Sequence, residues 1–151
     1  TVPFACMFIY EVLIYFIPNP PERLVQLSKF GSMAIPIVLF IVAGFHLEHI
    51  YTLLAFAGAG VIVLLHLILF PPILQFRFWS MYLVAMVPFA LVNGILTSFP
   101  VVWYNDAENL GIRLGSIPAD DLAYNLFMLL MVTTLYELFR RKKSQPADRQ
   151  S

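Results

Sequence analysis

Long apolar runs, broken only by short proline-rich or charged stretches, dominate this chain and limit what it can fold into. A membrane-crossing helix needs about 20 predominantly apolar residues. Five such segments are readable. The first covers about 1–17 and stops at Pro18-Asn19-Pro20-Pro21. The second covers 28–45, and the third covers 50–70 and stops at Pro71-Pro72. The fourth covers 78–99, and the fifth runs from near Pro118 to the cluster Arg140-Arg141-Lys142-Lys143. The first is short for a span, and the tail 144–151 is polar. Of all residues, 60% are hydrophobic and 12% charged, against about 25% charged in soluble domains. Too little polar surface remains to cover a soluble core. The expected fold class is an all-α integral membrane protein with five transmembrane helices.

The charges sort by side. With the Arg140–Lys143 cluster placed in the cytoplasm, Arg23, Lys29 and Arg77 fall on the same side, as does Arg149. Eight of the nine basic residues then lie inside, and only Arg113 lies outside. This bias predicts a multi-pass protein of the cell's inner membrane with a cytoplasmic C-terminus. Nine basic and nine acidic residues cancel, so net charge gives no case for a nucleic-acid partner. Cys6 is the single cysteine, which excludes an internal disulfide.

The first and fifth segments share a dipeptide. One reads Phe8-Ile9-Tyr10-Glu11-Val12-Leu13 and the other Thr134-Leu135-Tyr136-Glu137-Leu138-Phe139. The match suggests a parallel repeat whose first copy is mostly absent. Ionisable groups inside a span are costly and each invites a functional hypothesis. Glu11 has no basic neighbour in sequence. It is either a protonatable group facing the bundle interior or a hydrogen-bonded lock between helices. Glu137 can pair with Arg141 at i+4. Asn93 can bond across helices or to a substrate. His66 lies one turn from Phe70 and reads as an interfacial histidine. His46-Leu47-Glu48-His49 lacks the His-Glu-x-x-His spacing that puts two ligands on one helical face, so no metal is expected. Ala55, Ala57, Gly58, Ala59 and Gly60 form a small-residue patch suited to close helix packing.

The stretch between the fourth and fifth segments carries the most polar chemistry. It contains Trp103, Tyr104, Asn105, Asp106, Glu108, Gly111, Arg113, Gly115 and Ser116, then Pro118-Ala119-Asp120-Asp121. The glycines allow tight turns or close backbone approach. Arg113 can bridge Asp106, Glu108 or the acidic pair. Ser116 ahead of Pro118 and two aspartates reads as a helix start, where carboxylates are favoured by the helix dipole.

These residues resemble the membrane-embedded lycopene cyclase domain of carotenoid biosynthesis. That domain occurs in heterodimeric or fused bacterial enzymes and in fungal bifunctional ones. The resemblance runs through Val87-Pro88-Phe89, Val92-Asn93-Gly94-Ile95-Leu96-Thr97, Val102-Trp103-Tyr104-Asn105 and Gly111-Ile112-Arg113-Leu114-Gly115-Ser116-Ile117-Pro118, closing on Tyr136-Glu137. It is closest to the second half of the two-repeat form. The family's mark is Pro-x-Glu followed by a second acid. Here Asp120 stands where Glu is usual, and Ala123 where an aromatic is common.

The resemblance implies an acid-catalysed, redox-neutral cyclisation of lycopene ψ-ends to β-rings, a lycopene β-cyclase activity. Burial and a neighbouring carboxylate both favour the neutral, proton-donating form of an acid. Asp120 is the expected proton donor, with Asp121 balancing the proton or orienting Arg113. Tyr124 shares the Asp120 face at i+4, and Trp103, Tyr104 and Phe127 can stabilise a cation through their π faces. Asn93, Arg113, Glu11 and Glu137 are expected in support. The expected partners are the lipid bilayer and lycopene or a related carotenoid. No flavin, nicotinamide or metal cofactor is expected, since no Gly-x-Gly-x-x-Gly follows a strand. A retinal photoreceptor would need a mid-helix lysine, whereas Lys29, Lys142 and Lys143 flank the helices. A non-catalytic carotenoid-binding or scaffold subunit, or a small transporter, are the rival readings.

The repeat sets an expected organisation. Residues 1–17 form the last helix of a truncated first repeat, and 18–49 a linker and connecting helix. Residues 50–143 form the second cyclase repeat, and 144–151 the cytoplasmic tail. Pro118 precedes Tyr136 by 18 residues. The same interval before Tyr10 puts the first acidic motif ahead of Thr1. The expectation is a seven-helix, two-repeat enzyme whose remaining helices lie in a missing N-terminal repeat or a partner subunit, and a fragment inactive alone.

Overall fold

A computed structural model describes residues 2–99 and 110–144. It contains five helices: α1 (Val2–Phe16), α2 (Glu22–Phe45), α3 (Ile50–Leu69), α4 (Pro72–Ser98) and α5 (Ala119–Ser144). A two-stranded hairpin, β1 (Arg113–Leu114) and β2 (Ile117–Pro118), precedes α5. The helices α2 to α5 are each long and apolar enough to cross a membrane, while α1 is a shorter apolar helix. Large side chains such as Phe8, Phe45, Ile68, Leu83 and Phe139 lie on the outer surface. That surface suits hydrocarbon and not water.

Two helices begin six residues before the apolar runs suggest. Helix α2 starts directly after Pro21, whose carbonyl accepts from the Leu24 and Val25 amides. Helix α4 starts with Pro72 in its first turn, and the Pro71 carbonyl accepts from Leu74. Proline suits a helix start because its missing N–H would be unpaired there anyway. Arg23 and Arg77 are therefore helical, in the first two turns of α2 and α4, and not in the connecting segments. Both helices also carry an internal proline, Pro36 in α2 and Pro88 in α4.

Helix α3 sits between α2 and α5, and α4 packs on α2 and α1. The small-residue patch makes this possible. A Cβ at Gly60 would stand 2.9 Å from the Phe40 ring of α2, and one at Gly58 would stand 3.3 Å from the Phe127 ring of α5. The core is built on Tyr10, Val63, Phe78, Met81, Leu129 and Leu130. A buried polar chain crosses it. Trp79 Nε1 donates to Ser32 Oγ over 2.7 Å, Ser32 Oγ to Gln75 Oε1 over 3.2 Å, and Gln75 Nε2 to the His66 carbonyl over 3.0 Å. His66 Nδ1 lies 3.0 Å from Thr134 Oγ1. His66 is fully buried between helices, one turn from Phe70 near the end of α3.

The hairpin turns on Gly115, whose φ of 66° is the positive value that the first loop position of a tight hairpin requires. Ser116 completes that turn and caps no helix. Its hydroxyl accepts from Thr97 Oγ1 over 2.7 Å and approaches the Gly94 carbonyl at 3.3 Å, which ties the hairpin to the end of α4. The Ala119 amide donates to the Ile112 carbonyl over 2.9 Å. Helix α5 is thereby held by its first residue.

Candidate active site

The acidic pair occupies the first turn of α5. Successive helical residues point about 100° apart, so the two carboxyl groups meet different surroundings. Asp120 is fully buried. It accepts from the Thr52 hydroxyl of α3 and, over 3.0 Å, from the Leu110 amide. Asp121 accepts from the Tyr51 hydroxyl on one oxygen and from Asn93 Nδ2 on the other, each over 3.0 Å. Three helices therefore fix it: α3 by Tyr51, α4 by Asn93 and α5 by its own backbone.

Asp121 also lines a cavity of about 400 Å³, together with Tyr51, Asn93, Tyr124, Asn125 and Phe89. Tyr124 is half exposed, and its ring centroid lies 6.3 Å from that of Tyr51. Two phenol rings and two amides thus surround one carboxyl in a wall completed by apolar side chains. Such a site can hold an apolar end group against an acid, and the ring faces can stabilise positive charge formed there. Asp121 and Tyr124 share the cavity, while Asp120 turns into the protein against α3.

The other expected residues divide by location. Asn93 joins the site. Arg113 lies exposed on β1. Phe127 packs on Gly58. Trp103 and Tyr104 lie outside the described residues. Glu11 and Glu137 lie at the opposite end of the bundle, Glu137 about 24 Å along α5 from Asp121 at 1.5 Å per residue. There Tyr10 donates to Glu137 over 2.9 Å, and Tyr136 donates to Glu11 over 2.8 Å. Arg140 Nη1 lies 3.1 Å from Glu11 and 3.6 Å from Glu137. The expected Glu137–Arg141 pair is replaced by Arg140. Arg141 instead donates to the Leu69 carbonyl over 2.9 Å and covers the Phe70 ring at 4.5 Å.

Three residues of the site escaped sequence reading: Tyr51, Thr52 and Asn125. A usable signal existed for the first two. They open α3 at the bundle end where α4 stops and α5 starts, the end that carries the acidic pair. Asn125 sits one turn beyond Asp121 on α5, within an apolar stretch. Among the described residues no group of three or more His, Cys, Asp or Glu side chains could hold a metal ion. His46 Nδ1 lies 2.9 Å from the Val42 carbonyl, and its ring packs 5.8 Å from that of His49.

No curated protein and no solved structure matches the chain. A family model described as lycopene cyclase matches residues 48–139. That interval takes in α3, α4, the hairpin and most of α5, and so all the site residues from Tyr51 to Asn125. Because it spans well over half of the 151 residues, the chain belongs to the lycopene cyclase family.

Proposed function

We propose that this chain carries an acid site for the redox-neutral cyclisation of a carotenoid ψ-end to a β-ring, with Asp121 as the carboxyl that meets the substrate. In its protonated form Asp121 delivers its proton to the terminal C=C. The resulting tertiary cation is attacked by the neighbouring C=C, and the six-membered ring closes. Loss of a ring proton to a basic oxygen, the Asp121 carboxylate being the nearest on the cavity wall, restores a neutral product. One proton enters and one leaves, no electrons are exchanged, and the scheme needs neither flavin nor nicotinamide. Tyr51 and Asn93 hold the carboxyl plane, Tyr124 and Tyr51 offer π faces to the cation, and Asp120 with Thr52 anchors the first turn of α5.

The observation that carries this reading is that, among the described residues, a single carboxyl, Asp121, lies on the wall of a largely apolar cavity in a chain of the lycopene cyclase family. An apolar polyene enters such a site from the bilayer. The basic end of the bundle, Arg140 to Lys143, faces the cytoplasm in this scheme, and the acid site lies toward the outer face. The crossed Tyr–Glu exchange between α1 and α5 supports their reading as equivalent helices of two repeats, completed by a further repeat or a partner subunit.

The test is expression of the complete gene in a lycopene-accumulating bacterial host, with pigment analysis. β-Ring products are expected from the wild type, and Asp121→Asn should abolish them while membrane insertion persists. Unchanged lycopene in the wild type sinks the cyclase reading and favours a carotenoid-binding subunit. Full turnover by Asp121→Asn, with loss in Asp120→Asn, returns the proton donor to Asp120.

A further inference from the structure

The cavity at Asp121 does not stand alone. A second cavity, of about 280 Å³, adjoins it along the seam between α1, α4 and α5. The two share Phe89, Asn93, Asn125 and Leu129 in their walls. Beyond the two asparagines the wall of the second cavity is wholly apolar, with Cys6 and Ile9 from α1 and Ala85 and Pro88 from α4. The room has a local cause. Pro88 has no N–H for the Val84 carbonyl, which loosens α4 at that turn. Cys6 and Ala85, the side chains facing that turn, are small. The cavity opens on the surface of the bundle, where Pro88 and Val92 are exposed, while Cys6, Ala85 and Leu129 form its buried floor, so its direction leads from the acid site along the seam toward the bilayer.

We propose that this seam is the channel for the polyene chain of the substrate, with the ψ-end at Asp121, the chain passing Asn93 and Asn125, and Ala85 and Cys6 setting the depth. The proposal rests on the cyclase reading and adds a selection rule to it. A ψ-end attached to a long, linear, methyl-branched polyene fills both cavities, whereas a short ψ-ended hydrocarbon fills only the first. Asn125 becomes a positioning residue at the junction, held by its contact with Met86 Sδ at 3.6 Å.

Cys6 gives a direct readout, because it is buried in the fold yet lines the channel. The complete protein in lipid nanodiscs is treated with methyl methanethiosulfonate, and modification of the Cys6 peptide is followed by mass spectrometry. Lycopene at about ten times its dissociation constant should slow modification about tenfold. A short ψ-ended hydrocarbon should not. Equal rates with and without lycopene, in a preparation that retains or converts lycopene, overturn the proposal. Absence of modification in the ligand-free protein overturns it too. In the pigment assay Ala85→Phe, which fills the channel, should lower conversion of lycopene by about tenfold or more, and wild-type conversion by that variant also overturns the proposal. If Ala85→Phe does not accumulate, the Cys6 protection measured on the wild type decides. A wild type that neither converts nor retains lycopene counts against the cyclase reading instead.

Discussion

Tyr10 of α1 donates a hydrogen bond to Glu137 of α5, and Tyr136, beside Glu137, returns one to Glu11, beside Tyr10. The two tyrosine rings meet edge to face, with centroids 6.4 Å apart. The exchange is matched in connectivity but not in environment. Tyr10 and Glu137 are buried, at 0% and 4% exposure. Glu11 and Arg140 have side chains exposed to 44% and 43%. The inner bond is therefore the one whose loss leaves a polar group stranded.

That asymmetry separates two conservative variants. Tyr10→Phe leaves Glu137 buried with Arg140 at 3.6 Å and should cost about 1–3 kcal/mol, the penalty for an unsatisfied buried group. Tyr136→Phe leaves Glu11 with Arg140 at 3.1 Å and access to its surroundings, so its cost should stay below about 1 kcal/mol, near the average for interhelical hydrogen bonds in membranes. Unfolding in mixed micelles measures both. Equal losses would mean that burial does not distinguish the two bonds.

At the other end of the bundle, stability and turnover should separate. Thr52→Val removes a hydroxyl donor from the fully buried Asp120 and should cost about 1–3 kcal/mol of stability. Tyr51→Phe acts on Asp121, which keeps Asn93 and faces a cavity. Its stability cost should stay below about 1 kcal/mol, but conversion should fall about tenfold, because the carboxyl loses the hydroxyl that α3 contributes to its alignment. Pigment analysis and unfolding on the same two variants check this. A large stability loss in Tyr51→Phe with normal conversion would exchange the two roles.

The small-residue patch of α3 offers a test of packing against propensity. A Cβ at Gly60 meets the far edge of the Phe40 ring at 2.9 Å, and Phe40 lies on a partly exposed face, where the ring can move. Alanine also recovers about 0.8–1.0 kcal/mol of helix propensity. Gly60→Ala should therefore be within about 1 kcal/mol of the wild type. Gly60→Leu cannot be absorbed by one ring and should lose about 1–3 kcal/mol by overpacking the α2–α3 seam. Unfolding measurements on the two variants compare them, and a severe loss in Gly60→Ala would show that Phe40 is locked.

Local chemistry explains which features were readable in advance. The apolar runs and their proline stops mark all five helices, because hydrocarbon-facing helices must be apolar over most of their length. Hydropathy places the starts of α2 and α4 six residues late because it excludes Glu22, Arg23 and Arg77, although long charged side chains extend a helix into the interface by snorkelling. Pro21 and Pro72 were the better markers. Asp120, Asp121 and Asn93 stood out as polar groups beside or within apolar runs. Their partners did not. Thr52 reaches Asp120 and Tyr51 reaches Asp121 across 68 and 70 residues of sequence, and no local periodicity encodes such a pair. The same holds for Glu137: i+4 spacing favours Arg141, but the end of α3 supplies Arg141 with the Leu69 carbonyl and the Phe70 ring that follows it, and Arg140 takes its place.

The hairpin yields the last prediction, since it leads directly into the first turn of α5, which carries Asp120 and Asp121. Gly115 has φ of 66°, and an added Cβ meets nothing within 4 Å. Only the backbone conformation sets the cost of a side chain there, about 1–2 kcal/mol for an L-residue in the left-handed region. That energy falls on a unit of two short strands, held by Ser116 to Thr97 and by the Ala119 amide to Ile112. Gly115→Ala should therefore raise local opening about tenfold, read as faster amide hydrogen exchange over residues 112–119 with the remaining helices unchanged. Asp120 and Asp121 follow immediately in the first turn of α5, so conversion should fall while the amount of protein in the membrane does not. Ser116→Ala removes one tether and leaves the turn conformation intact, and should produce the smaller effect of the two. Slowed conversion without faster exchange in Gly115→Ala would separate the hairpin's conformation from the order of the acidic turn.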